Sequence, residues 1–121
     1  MRFLVYGNLA PAVTEAIKRH GHVAATLEMA DLPTDIAMED LLKELHRKQL
    51  DLITNDDSAV EAAMKGDGKF ERCIVYFQLP GGDVEQDDAI DRLFTRYPRM
   101  SPRRLYTVTE TRVKVRQLPG M

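Results

Sequence analysis

Short apolar runs alternate with amphipathic stretches along most of this chain. The run at Arg2–Tyr6 is almost continuously apolar, and the run at Arg72–Leu79 is strongly so. Runs of this kind are typical of parallel strands that are covered on both faces. The stretches between such runs repeat apolar residues every three or four positions, as helices with one buried stripe do. This alternation predicts an α/β domain with a mostly parallel sheet.

The complete pattern predicts six strands and four helices. The strands are expected at Arg2–Tyr6, His22–Thr26, Leu50–Thr54, Arg72–Leu79, Leu105–Thr109 and Arg112–Arg116. The helices are expected from Asn8 and Pro11 to a stop at Gly21, from Thr34 or Asp35 through Leu41, Leu42 and Leu45, from Ser58 to Lys65 before Gly66-Asp-Gly68, and from Val84 to Tyr97. Pro80-Gly-Gly82 is expected to end the fourth strand, and Asn8 to cap the first helix.

The order of these elements favours one architecture. Strand–helix–strand connections between parallel strands are right-handed, so helices are placed on the faces of the sheet. We therefore expect a single domain, residues 1–121, folded as a three-layer α/β/α sandwich. The last two strands alternate apolar and polar residues around Glu110-Thr111, which predicts a C-terminal β-hairpin.

Composition narrows the class of protein. The chain has 121 residues, of which 44% are hydrophobic and 30% charged, and these values are ordinary for a globular domain. No apolar run approaches the roughly 20 residues needed to span a bilayer, and the apolar stretch Phe3–Tyr6 is too short for a secretory signal. The single cysteine, Cys73, lies in an apolar run and is expected to be a buried structural thiol. We expect a cytoplasmic protein without a membrane partner.

Charge is distributed unevenly along the chain. The segment from Arg92 onward contains eight Lys and Arg residues and one acid, Glu110. In the last predicted strand, Arg112, Lys114 and Arg116 alternate with valines and therefore share one face. Such a basic face can contact nucleic acid or a protein partner. It can equally protect an edge strand from aggregation, or pack against an acidic part of the same domain.

Candidate chemistry lies where strands end. In parallel α/β sheets, ligands bind beyond the carboxyl ends of the strands, and this rule selects the segments Tyr6–Asn8 and Thr54–Ser58. Asp56 and Asp57 follow a predicted strand directly. Carboxylates in this position suit Mg²⁺ or Mn²⁺, which prefer hard oxygen ligands and keep several waters.

Two further acids fit the same hypothesis. Glu39 and Asp40 stand in the first turns of a predicted helix and would lie near the same rim. A bound ion there would orient a water molecule and stabilise charge on a phosphate. The alternative interpretation is structural, because Asp before a helix is commonly an N-cap and acids in a first turn are favoured by the helix dipole.

The chain resembles a known family in several motifs. The matching stretches are Phe3–Pro11, Arg19–His22, Ala37–Leu42, Ile53–Asp56 and Arg112–Pro119. They are similar to the Asp-Glu-Asn-Leu-Pro start, the His-Gly-His helix end, the Ser-Asp-Glu-Glu segment, the Thr-Asn-Asp motif and the usual end of the PIN-like group of short prokaryotic proteins of unassigned function. That group is related to the nuclease-like PIN domains of toxin–antitoxin systems.

The resemblance also implies which acids are missing. The first two acids of the family fall on Tyr6 and Gly7, the acid ahead of the second helix falls on Met38, and a later aspartate falls on Ser58. The Thr-Asn-Asp acid is retained as Asp56, and Asn8 is retained as well. A phenol and a thioether are poor ligands for Mg²⁺ at neutral pH. The resemblance therefore implies a degenerate metal site with Tyr6, Asn8 and Ser58 on its rim.

Three functions follow as hypotheses. The leading one is a PIN-like protein that needs no cofactor and binds RNA or an antitoxin-like protein, with Arg112, Lys114 and Arg116 as contact residues. The second is a Mg²⁺- or Mn²⁺-dependent endoribonuclease that uses Asp56 with Asp57, Glu39 or Asp40. The third is a purely structural or protein-binding role. The sequence leaves the oligomeric state open, and a homodimer is compatible with it.

Overall fold

A computed structural model describes residues 1–65, 70–79 and 82–119 of the chain. The strands are β1 (Arg2–Tyr6), β2 (Val23–Ala25), β3 (Asp51–Thr54), β4 (Ile74–Phe77), β5 (Arg104–Val108) and β6 (Val113–Gln117). The helices are α1 (Pro11–Arg19), α2 (Met38–Lys48), α3 (Asp57–Lys65) and α4 (Asp83–Arg96). None of the described helices has the length and apolar character that a membrane crossing requires.

All six strands form one sheet in the order β2-β1-β3-β4-β5-β6. The first five strands run parallel, and β6 pairs antiparallel with β5. The predicted α/β fold with a mostly parallel sheet is thereby confirmed. Strand β1 lies between β2 and β3 in the sheet. The chain passes from β1 through α1 to β2 on one side of β1, and then through α2 to β3 on its other side. The carboxyl ends of β1 and β3 therefore meet at the topological switch point.

The core is divided between the two faces of the sheet. Side chains alternate along each strand, so Phe3 faces a cluster with α1 and α4, whereas Leu4 faces a cluster with α2 and α3. The helices within each pair also contact one another. Two helices on each face are compatible with the predicted three-layer arrangement.

Helix starts differ from the sequence prediction for local reasons. The expected cap of α1 by Asn8 is wrong, since the N-cap is Ala10 and Pro11 takes the first helical position, where its missing N–H costs nothing. Helix α2 begins at Met38 and not at Thr34 or Asp35. A turn closed by the Ile36 N–H and the Pro33 carbonyl, 3.3 Å apart, precedes it.

The remaining boundaries shift by one or two residues. Helix α3 begins at Asp57, one residue before the predicted Ser58, and α4 begins one residue before Val84. The strands β2 and β4 are shorter than predicted. The expected breaks at Gly66-Asp-Gly68 and at Pro80-Gly81 lie outside the described residues. Helix α1 ends as predicted before Gly21, whose φ of 82° is a conformation that glycine adopts readily.

A buried carboxylate joins β3 to the segment before β4. Asp51 is 2% exposed, and its Oδ1 accepts a hydrogen bond of 2.9 Å from the Cys73 backbone N–H. Its Oδ2 lies 3.1 Å from Nη2 of Arg72. Burial, with a smaller contribution from Asp51, raises the pKa of the Cys73 thiol well above its ordinary value. The prediction that Cys73 is buried is confirmed.

Replacing Asp51 with alanine should destabilise the domain by about 2 kcal/mol, because a buried N–H and a half-buried guanidinium lose their acceptor. Urea unfolding followed by circular dichroism measures the change. Glu44→Ala, which removes an exposed partner of Arg47, is the control and should leave the midpoint almost unchanged. Equal midpoints for the wild type and Asp51→Ala would contradict this role.

Candidate functional site

The side chain of Asn55 bridges the carboxyl ends of β1 and β3. The Asn8 backbone N–H donates to Oδ1 of Asn55 at 3.0 Å, and Nδ2 of Asn55 donates to the Asn8 carbonyl at 2.9 Å. We call this reciprocal pair the Asn55 clamp. Both ends of one amide are used to hold the turn after β1, so the crevice at the switch point is spanned by a fixed polar side chain.

The clamp leaves no room for a side chain at position 7. Gly7 has a φ of 106°, a conformation that other residues rarely adopt. A Cβ atom placed there would lie 2.5 Å from Oδ1 of Asn55. The resemblance places a glutamate of the family at this position, and on the present backbone of this turn such a side chain would collide with the Asn55 amide.

Asp56 caps helix α3. Its Oδ1 accepts hydrogen bonds from the Ser58 backbone N–H at 2.9 Å and from the Ser58 hydroxyl at 2.7 Å. The Asp56 backbone N–H in turn donates to Oγ1 of Thr54 at 3.0 Å. These contacts match the structural interpretation of Asp56, because an N-cap satisfies the free amides of a first helical turn.

The other candidate acids stand on helix starts. Asp57 lies in the first turn of α3, and Glu39 and Asp40 lie in the first turn of α2. All three are exposed. Among residues 1–65, 70–79 and 82–119, no group of three or more His, Cys, Asp or Glu side chains is arranged to hold a metal ion. A metal-binding role for these acids and Asp56 stays a prediction.

Tyr6 ends β1 on the face of α2 and α3. Its half-buried ring packs against the apolar cluster that includes Leu4, and it pairs in register with Thr54 of β3. Ser58, also predicted for the rim, is exposed and serves the Asp56 cap. The structure thus gathers Tyr6, Asn8, Asp56 and Ser58 at one end of the sheet, around the Asn55 clamp.

A single row of polar and aromatic side chains crosses the sheet near its carboxyl edge. Tyr6 pairs with Thr54, Thr54 with Tyr76, Tyr76 with Thr107, and Thr107 with Lys114. Residues in register on neighbouring strands point to the same face. We call these five residues the Tyr–Thr row. Its two threonines are buried, its two tyrosines half-buried and its lysine exposed.

The basic face predicted for the last strand is present. Val113 and Val115 pack toward the cluster of α1 and α4, whereas Arg112, Lys114 and Arg116 are exposed. None of these three cations forms an ion pair with a described residue. Arg19, by contrast, pairs with carboxylates of α4. We call Lys114 and Arg116, together with Arg112 directly before the strand, the cations of β6, and they are available to an external anion.

Two residues of the site were not found by sequence reasoning. Asn55 was missed because its partner lies 47 positions away and only the strand register brings them together. Gln86 was missed as well, although its Oε1 accepts a hydrogen bond of 2.8 Å from the Ala10 N–H and fixes the start of α1. The sequence did contain a signal for the burial of Gln86. Position 86 falls on the same helix stripe as Ala89, Ile90 and Leu93, which are buried.

Comparisons with known proteins identify no relative. No family model matches the chain, and no curated protein or solved structure matches it. The features that bear on its function are therefore the Asn55 clamp, the Tyr–Thr row and the cations of β6.

Gly7→Ala should destabilise the domain by at least about 1 kcal/mol more than Gly21→Ala. Both glycines have a positive φ, but a Cβ at position 21 meets nothing within 4 Å, whereas one at position 7 meets Oδ1 of Asn55 at 2.5 Å and Oγ1 of Thr54 at 3.3 Å. Urea unfolding of both variants measures it. In an Asn55→Ala background the excess cost of Gly7→Ala should shrink, since the obstructing oxygen is gone. Equal costs for both glycines would show that the clamp does not constrain position 7.

Proposed function

We propose that this chain is a PIN-like domain protein with a degenerate metal site, and that it binds RNA rather than hydrolysing it. The three-layer form of the fold, its C-terminal hairpin and a setting related to toxin–antitoxin modules are parts of the same proposal. The motif resemblance supports the family assignment, and helices on both faces of a mostly parallel sheet are compatible with it.

The observation that carries RNA binding is the set of free cations on β6. Arg112, Lys114 and Arg116 are exposed and have no anionic partner among the described residues. Lys114 and Arg116 lie on β6 and Arg112 directly precedes it, and successive same-face residues of a strand are roughly 7 Å apart. A phosphodiester backbone offers one charge per nucleotide at comparable spacing, and neutralising it releases counterions.

The loss of hydrolysis is supported by what surrounds Asp56. The end of β1 presents Tyr6, and a phenol is a poor Mg²⁺ ligand compared with a carboxylate. One oxygen of Asp56 already accepts two hydrogen bonds from Ser58. The Asn55 clamp spans the crevice between the two strand ends. These contacts favour a structural over a catalytic use of this edge.

A second candidate, the Mg²⁺- or Mn²⁺-dependent endoribonuclease, is favoured by one observation. Asp57, Glu39 and Asp40 are exposed, and none pairs with a cation among the described residues. Together with Asp56 they are the acids that such an enzyme would use. A manganese-dependent readout separates the two candidates.

Reversing the charges of β6 should abolish RNA binding. We expect Arg112→Glu/Lys114→Glu/Arg116→Glu to weaken binding of a single-stranded RNA at least about tenfold and to reduce its salt dependence, because phosphate contacts are lost. Fluorescence anisotropy at several salt concentrations measures both. The control, Lys18→Glu/Lys43→Glu/Lys65→Glu, changes the net charge equally and should have little effect. Equal losses of RNA affinity in the two variants would contradict the proposal. The basic face would then protect an edge strand from aggregation or bind a protein.

Manganese should leave the melting temperature of the wild type unchanged, since a ligand stabilises only a folded state that binds it. Tyr6→Asp restores an acid at the end of β1 and should introduce a manganese-dependent rise. Thermal unfolding with and without Mn²⁺ measures the effect. A rise in the wild type that disappears in Asp56→Ala would instead favour the endoribonuclease.

A further inference from the structure

One half of the Tyr–Thr row joins an aromatic ring to the cations of β6. Tyr76 on β4, Thr107 on β5 and Lys114 on β6 are in register. Adjacent strands lie about 4.8 Å apart, so the backbone positions of Tyr76 and Lys114 are roughly 10 Å apart. Arg116 pairs with Leu105 and lies on the same face as Lys114, one row away.

The Tyr76 ring combines a supported side with an accessible one. It packs partly against the cluster of α2 and α3, which restricts its motion, and it remains half exposed. Its hydroxyl has no hydrogen-bond partner among the described residues, so nothing in that part of the chain holds the ring in place by polar contact. A partly exposed aromatic ring that packs on the core beside free cations is the combination that single-stranded nucleic-acid sites use.

The other half of the row suits a polyanion less well. Asp56 and Asp57 follow Asn55 at the end of β3, and Asp57 is exposed. Carboxylates beside Thr54 and Tyr6 repel phosphate groups. The surface that favours an anionic ligand therefore extends from Tyr76 to β6, on the side of the sheet away from β1.

We propose that Tyr76 stacks an unpaired base of single-stranded RNA while Lys114 and Arg116 hold the adjoining phosphates. This inference rests on the proposed RNA-binding function and adds selectivity to it, since a base within a duplex is already stacked and does not offer its face to the ring. Thr107, between the two groups, is 9% exposed and forms the floor of the site.

A tryptophan at position 76 would report base stacking by its fluorescence, because the chain contains no other tryptophan. In Tyr76→Trp, single-stranded RNA should quench the indole emission through base stacking, and a duplex of the same sequence should quench it far less at equal occupancy. Tyr97→Trp is the matched control. Tyr97 is also a half-buried aromatic, but it packs against the cluster of α1 and α4, so its emission should not respond.

Affinity gives the second readout. Tyr76→Ala should weaken binding of single-stranded RNA about tenfold, whereas Tyr76→Phe, which keeps the ring, should bind like the wild type. Tyr97→Ala should also bind like the wild type. If Tyr76→Ala does not fold, the quenching of Tyr76→Trp by single-stranded RNA still decides the matter.

The outcomes separate this inference from the proposed function. If charge reversal on β6 abolishes binding but Tyr76→Ala binds normally and Tyr76→Trp is not quenched, the stacking inference is overturned and RNA binding stands. Equal quenching by single-stranded and duplex RNA at equal occupancy would also overturn it. If the wild type binds no single-stranded RNA at low salt, both the function and the inference fall.

Discussion

The two hydrogen bonds between Asn55 and the Asn8 backbone determine the shape of the carboxyl edge of this sheet. They join the ends of β1 and β3 at the switch point, where parallel α/β proteins commonly bind their ligands. Because Asn55 lies against the backbone of the turn after β1, a side chain at position 7 would collide with its Oδ1 in the present conformation, where Gly7 has a φ of 106°. Asp56, which follows Asn55 in the chain, is placed to cap α3. One amide thus links the turn after β1 to the start of α3.

This constraint shifts the useful surface along the sheet. Asn55 spans the crevice between β1 and β3, and acids border it. The surface suited to an anion therefore lies at the β6 edge of the sheet. There the register brings Tyr76 beside Lys114 and Arg116, on a strand whose other face is anchored in the core by Val113 and Val115. The proposed loss of metal ligands and the proposed RNA-binding surface are therefore compatible within one fold.

Much of the fold followed from the apolar pattern, because buried runs and amphipathic stripes are local properties of the sequence. The strand β1 and the stripe of α2 were predicted correctly for that reason. Helix starts were less predictable, since Pro33 and Ile36 form a turn that competes with an earlier start of α2. Asn55 lies in the Thr-Asn-Asp stretch, but its bridging role was not recognisable, because that role depends on a partner strand. The Tyr–Thr row was hidden likewise, as its members come from five strands and only the register aligns them.

The most direct test of this account is to map where RNA contacts the folded chain. Amide chemical shifts of the ¹⁵N-labelled protein can be followed while single-stranded RNA is added at low salt. The account predicts that the largest shifts cluster at Tyr76, Thr107 and residues 112–116, while the amides of Asn8 and Asn55 stay in place. Shifts concentrated at Asn8, Asn55 and Asp56, with β6 unaffected, would contradict it and locate binding at the switch point.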